Sequence, residues 1–148
     1  MRNKILFIAL TFFLSPGCSS TKMASYKVID QNGNKLIYQV QLPKGFATRK
    51  TNYEHGWYKD FIYPDSSVFF FSNNILGGFP FPPDAYINYG KDLNLKFISV
   101  DTISLNGILN SGRLWRILRE SNIMYGYTQV PPEKREMFDS IINHITIK

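Results

Sequence analysis

The chain has one cysteine, Cys18, and three residues separate it from a preceding apolar run, Ile5–Leu14, broken only by Thr11. That placement constrains the fold in two ways. No disulfide can close within the chain and no thiolate cluster can hold a metal, so a hydrophobic core must carry the stability. The segment ahead of the cysteine also reads as standing outside the fold. Arg2 and Lys4 give a positive start, ten residues form the apolar stretch, and Ser15-Pro16-Gly17 supplies small residues for cleavage, which is the three-part pattern of a secretory signal. Ten residues are too few to cross a hydrocarbon core of about 30 Å, which takes about 20 in helical form.

The segment Leu14-Ser15-Pro16-Gly17-Cys18 resembles the lipobox of bacterial lipoproteins. The resemblance implies cleavage before Cys18, a diacylglycerol on its sulfur and an acyl chain on its new amino terminus. Two or three acyl chains, at about 0.8 kcal/mol per buried CH₂, anchor a protein durably. It further implies an outer-membrane location, because Ser19 is not an acidic retention residue, and a periplasm-facing domain, because Ser19–Ala24 lacks the acidic residues that accompany surface export. The division expected is a signal peptide over 1–17, an acylated cysteine and tether over 18–24, and one domain over 25–148.

With 44% hydrophobic and 16% aromatic residues in 148, the chain can bury one substantial core. Nine Tyr and twelve Phe favour strands. Without Arg2 and Lys4, 15 Lys and Arg face 11 Asp and Glu, a net charge of +4. The basic residues are scattered, and no block of five or six forms, so a nucleic-acid footprint is not indicated.

Tyr26–Ile29 and Leu36–Leu42 read as strands around an Asn32-Gly33 turn, with Leu36, Tyr38, Val40 and Leu42 alternating with Ile37, Gln39 and Gln41. Asp30, Asn32 and Asn34 have the look of a calcium loop, but Gly33 is misplaced and no glutamate follows at the required distance. Trp57–Tyr63 and Val68–Phe71 form a second hairpin across Pro64-Asp65-Ser66-Ser67. The stretch Asn73–Pro83 is dense in Gly and Pro and reads as a loop. Leu93–Val100 and Thr102–Leu105 resume the strand pattern, and Asn106-Gly107 signals a tight turn. Arg113–Glu120 and Ile123–Val130 flank a two-residue turn, Ser121-Asn122. Pro131-Pro132-Glu133 opens a helix with Met137, Phe138, Ile141, Ile142 and Ile145 on one side.

The fold class expected is α+β: an antiparallel sheet built of hairpins, with a C-terminal amphipathic helix packed on one face. Leu42-Pro43-Lys44-Gly45-Phe46, Leu114-Trp115-Arg116 and the closing helix resemble the PsbP-like fold over most of the mature chain. That resemblance implies the same sheet-and-helix arrangement. The lipobox together with aromatic-rich hairpins resembles small lipoproteins of Bacteroidota.

The chemistry available is sparse. His144 lies at the end of the last helix, a capping position, and His55 lies beside Glu54 in a loop with no nucleophile implied. Asp60 reads as solvated or paired with a base, not as half of a dyad with Asp65. No nucleophile elbow, HExxH helix, P-loop or dinucleotide fingerprint occurs. The chain therefore reads as non-enzymatic, with no cofactor or metal.

What stands out is the loop bearing Ile75, Leu76, Phe79 and Phe81. Aromatic groups on a proline-stiffened segment lose little entropy on binding, so these four are the candidate contact residues. The expected function is a periplasmic envelope lipoprotein that binds a protein partner, as an accessory subunit of an envelope or secretion complex or as an immunity factor. A carrier of an apolar or lipid-like ligand, or a hydrolase of unfamiliar type, is the alternative.

Overall fold

The computed structural model describes residues 20–29, 33–54, 56–73, 102–120 and 123–148. Within them, strands β1 (Thr21–Ile29) and β2 (Lys35–Pro43) form the first hairpin. β3 (Ala47–Tyr53), β4 (Gly56–Ile62) and β5 (Val68–Ser72) form one antiparallel meander, and β6 (Thr102–Ile108), β7 (Leu114–Glu120) and β8 (Ile123–Val130) another. A 3₁₀ turn, Pro132–Lys134, leads into helix α1 (Arg135–Asn143), and the short β9 (Thr146–Ile147) follows.

The two meanders join where β5 pairs with β8, giving a six-stranded sheet in the order β3-β4-β5-β8-β7-β6. β1, β2 and β9 make a separate three-stranded sheet. The α+β class is found, with every described pairing antiparallel and one short helix at the C-terminal side. The single sheet of the sequence reading is corrected to two. The first hairpin carries its own apolar face, Tyr26 and Val28 beside Tyr38, Val40 and Leu42, and packs it onto the large sheet without joining its edge. Helix α1 shares that face.

Alternation decides which residues meet there. Phe61, Phe69, Phe71, Tyr125 and Tyr127 point inward from the large sheet and meet Phe138, Ile141 and Ile142 of α1. Tyr26 stacks on Phe71 with ring centroids 4.4 Å apart, and Phe138 meets Tyr63 and Tyr127 edge-on at 5.7 and 5.5 Å. On the opposite face, Phe70, Leu109, Trp115, Ile117 and Met124 form a second buried cluster.

The turns follow local chemistry. Between β4 and β5, Tyr63 accepts from the Ser66 amide at 2.9 Å, Ser66 takes φ 70°, and the Asp65 carboxylate accepts from the Ser67 amide at 3.0 Å. Asn106-Gly107, by contrast, is not a turn. Both residues lie within β6, and the reversal comes later, where Gly112, at φ 77°, donates to Leu109 at 2.8 Å. Gly107 is paired with Trp115, and a Cβ at that position would come within 2.8 Å of the indole. Its glycine makes room for a ring and does not bend the chain.

Two further differences concern strand limits. β1 starts at Thr21, inside the stretch read as tether, because Thr21–Ala24 pair with Val40–Pro43 through the backbone. β3 was not foreseen at all. The strand reading of Leu93–Val100 lies outside the described residues.

Candidate functional site

Cys18, His55, Ile75, Leu76, Phe79 and Phe81 lie outside the described residues. The Ser20 carbonyl accepts from the Lys44 amide at 3.0 Å, which fixes Ser20 beside the β2–β3 connection.

That end of the molecule is built by the starts or ends of several strands. The Lys22 ammonium lies 5.8 Å from the centre of the Phe46 ring, and the Tyr63 hydroxyl donates to the Pro43 carbonyl at 3.2 Å. Lys134 reaches across to Asp65 at 2.6 Å, closing one side of an open groove of about 350 Å³ lined by Pro43, Lys44, Tyr63, Pro64 and Met137. Burial alone would raise the Asp65 carboxyl, but the Lys134 ammonium and the Ser67 amide and hydroxyl bring it down to about 2. Arg113 donates to the Asp65 carbonyl at 2.8 Å and also to the Gln129 carbonyl, where β8 carries a bulge against β7. The end face therefore combines Lys22, Lys44, Arg113 and Lys134 with a rigid backbone frame.

A second groove, of about 470 Å³, runs between β2 and α1 and is lined by Met23, Gln39, Gln41, Ser140, Ile141 and His144. His144 caps α1 as the sequence implies, its amide donating to the Ser140 carbonyl at 3.2 Å and its Nδ1 at 2.7 Å. The Ser140 hydroxyl stands farther away, at 3.4 Å. This serine and histidine do not make a nucleophile and base: the ring nitrogen facing the hydroxyl is already committed to a carbonyl, and no described carboxylate orients the ring.

Asp60 is paired with a base, namely Arg49, whose Nε and Nη2 donate to one carboxylate oxygen at 2.9 and 2.7 Å. Asp65 takes Lys134 instead, so the two aspartates have separate partners. Glu54 sits exposed in the turn between β3 and β4. Beneath α1, where a carrier would hold an apolar ligand, the space is filled ring against ring by Tyr63, Tyr127 and Phe138. Among the described residues no three His, Cys, Asp or Glu side chains gather to hold a metal, and no helix is long and apolar enough to cross a membrane.

Sequence reasoning missed Lys27, Lys50 and Lys59, which converge with Tyr26 and Trp57 on a cleft at the side of the molecule. Compared with family models, with curated proteins and with solved structures, the chain finds no match in any of the three.

Proposed function

We propose that the chain is a lipid-anchored envelope protein, acylated on Cys18 and held against the periplasmic side of the outer membrane, where it binds a protein partner without catalysis. The observation that carries this reading is the one cysteine, placed after a ten-residue apolar run and Ser15-Pro16-Gly17 and three positions before β1 begins. A spacer that short sets the Lys22–Lys44 end of the domain at the bilayer, where ammonium groups meet anionic headgroups. The domain is then presented in a limited range of orientations. Ile75, Leu76, Phe79 and Phe81 are the proposed partner contacts, in an accessory subunit of an envelope complex or an immunity factor.

Fractionation of cells expressing wild type and Cys18→Ser tests the anchor. Wild type should stay with membranes through a carbonate wash and carry the mass of the acyl chains, whereas the variant should be unprocessed or soluble. A variant that stays membrane-bound at the wild-type mass overturns the anchor. Wild type extracted from membranes in mild detergent should also bring down one protein in near-equal amount, and recovery of the chain alone overturns the binding half.

A further inference from the structure

The cleft between β1 and the β3–β4 pair holds an arrangement that packing does not require. Lys50 and Lys59 are direct partners across the antiparallel β3–β4 pair, so their side chains leave the same face side by side. Like charges in that position repel and weaken the pairing. Lys27 lines the same cleft from β1. Among the described residues no carboxylate lines it and none of the three lysines has an ion-pair partner.

The floor is aromatic. Tyr26 and Trp57 stack with centroids 5.7 Å apart, and the Lys59 and Lys50 ammoniums lie 5.0 Å and 5.9 Å from the Tyr26 and Trp57 ring centres. Tyr26 is 7% exposed, and its buried hydroxyl has no hydrogen-bond partner among the described residues. An unpartnered buried hydroxyl costs stability, as the facing lysines do. Lysine stems often cover aromatic surface, and that accounts for any one of the three. It does not account for three converging with no acid between them.

We propose that this cleft binds a phosphoryl dianion carried on a small planar group. Three positive charges suit a multiply charged oxyanion, and lysine is a common phosphate ligand acting as a point charge. The space, about 200 Å³, takes one ring and its phosphoryl group beside Trp57, the more exposed of the two rings. Along β1 the site lies six residues, or about 20 Å, from Ser20, so it takes a free ligand and not the headgroups beside the anchor. The inference stands independently of acylation.

Calorimetric titration of the full chain with phenyl phosphate, inorganic phosphate and benzyl alcohol tests it. Phenyl phosphate should bind once, inorganic phosphate about tenfold more weakly and benzyl alcohol not at all. Lys50→Gln and Lys59→Met should each weaken phenyl phosphate about tenfold while leaving the melting temperature equal or higher, because repulsion is relieved. Lys22→Gln, which removes a lysine over the separate Phe46 ring, should bind like wild type. Absence of saturation with phenyl phosphate overturns the proposal, as does equal binding of inorganic phosphate or an equal loss in Lys22→Gln. A fall in melting temperature with unchanged affinity in the Lys50 and Lys59 variants would show that these lysines only pack, and it overturns the proposal too.

Discussion

Asp139 accepts from Arg116 at 2.8 Å and from the Tyr127 hydroxyl at 3.0 Å, joining α1 to strands β7 and β8 through a single carboxylate. Burial would raise its pKa, but the hydrogen bonds from Arg116 and Tyr127 and the charges of Arg116 and Arg135 outweigh that and hold it below the ordinary value. Asp65 is held at about 2 in the same manner. A carboxyl whose folded pKa is depressed adds stability above its unfolded value, near 4, and loses it as pH falls toward the folded value. The melting temperature should therefore hold between about pH 7 and 5 and drop between about pH 4 and 2. Asp139→Asn should cost about 1–2 kcal/mol at neutral pH and flatten that acid slope. Denaturant unfolding of both proteins across the range checks this, and an unchanged slope would show that Asp139 is not a source of the acid sensitivity. Burial, then the Asp139 charge, raises the Tyr127 phenol, so it remains a donor throughout this range.

Helix α1 is amphipathic in the way its sequence implies, with Phe138, Ile141 and Ile142 buried and Met137 packed at the margin, although it ends at Asn143, so Ile145 packs from beyond the helix and not on it. Phe138 is fully buried, so Phe138→Ala should destabilise the domain by about 3–5 kcal/mol. An unchanged melting temperature would mean the helix does not close the core. Elements like this one were legible because burial leaves a pattern: β2, β7 and α1 carry apolar residues at the spacing their geometry demands, and β5 and β8, buried on both faces, are nearly continuous apolar runs. β3 has the sequence Ala-Thr-Arg-Lys-Thr-Asn-Tyr, a solvated edge strand with no apolar alternation, and nothing in its pattern announces pairing. The Asn106-Gly107 signal misled because a glycine chosen for space beside Trp115 looks the same as one chosen for a turn. The lysine cleft was hidden for a related reason. Lys27, Lys50 and Lys59 are scattered in sequence, and only the β3–β4 register and the packing of β1 bring them together.

At the scale of the whole molecule, the proposed anchor stands two residues ahead of the Ser20–Lys44 contact in sequence, and a test of that reading is to lengthen the connection. Insertion of a ten-residue Gly-Ser spacer between Cys18 and Ser19 should leave the melting temperature unchanged, since loop length costs little when no core residue moves. On anionic vesicles it should expose Lys22 and Lys44 to amine-reactive labelling while Lys59, beside Tyr26 and so about 13 Å along β1 from Lys22, is labelled as before. Equal labelling of Lys22 and Lys44 with and without the spacer would show that this end does not face the bilayer. The joint between the two meanders has a different consequence, in time. Phe69 and Phe71 find their partners in Tyr127 and Tyr125, and Tyr38 finds its own in Ile147. The strands at the centre of the large sheet thus wait for the last third of the chain, and long-range pairings of this kind form slowly. A chain emerging amino end first would leave Phe69-Phe70-Phe71 without its β8 partners until Ile123–Val130 arrives.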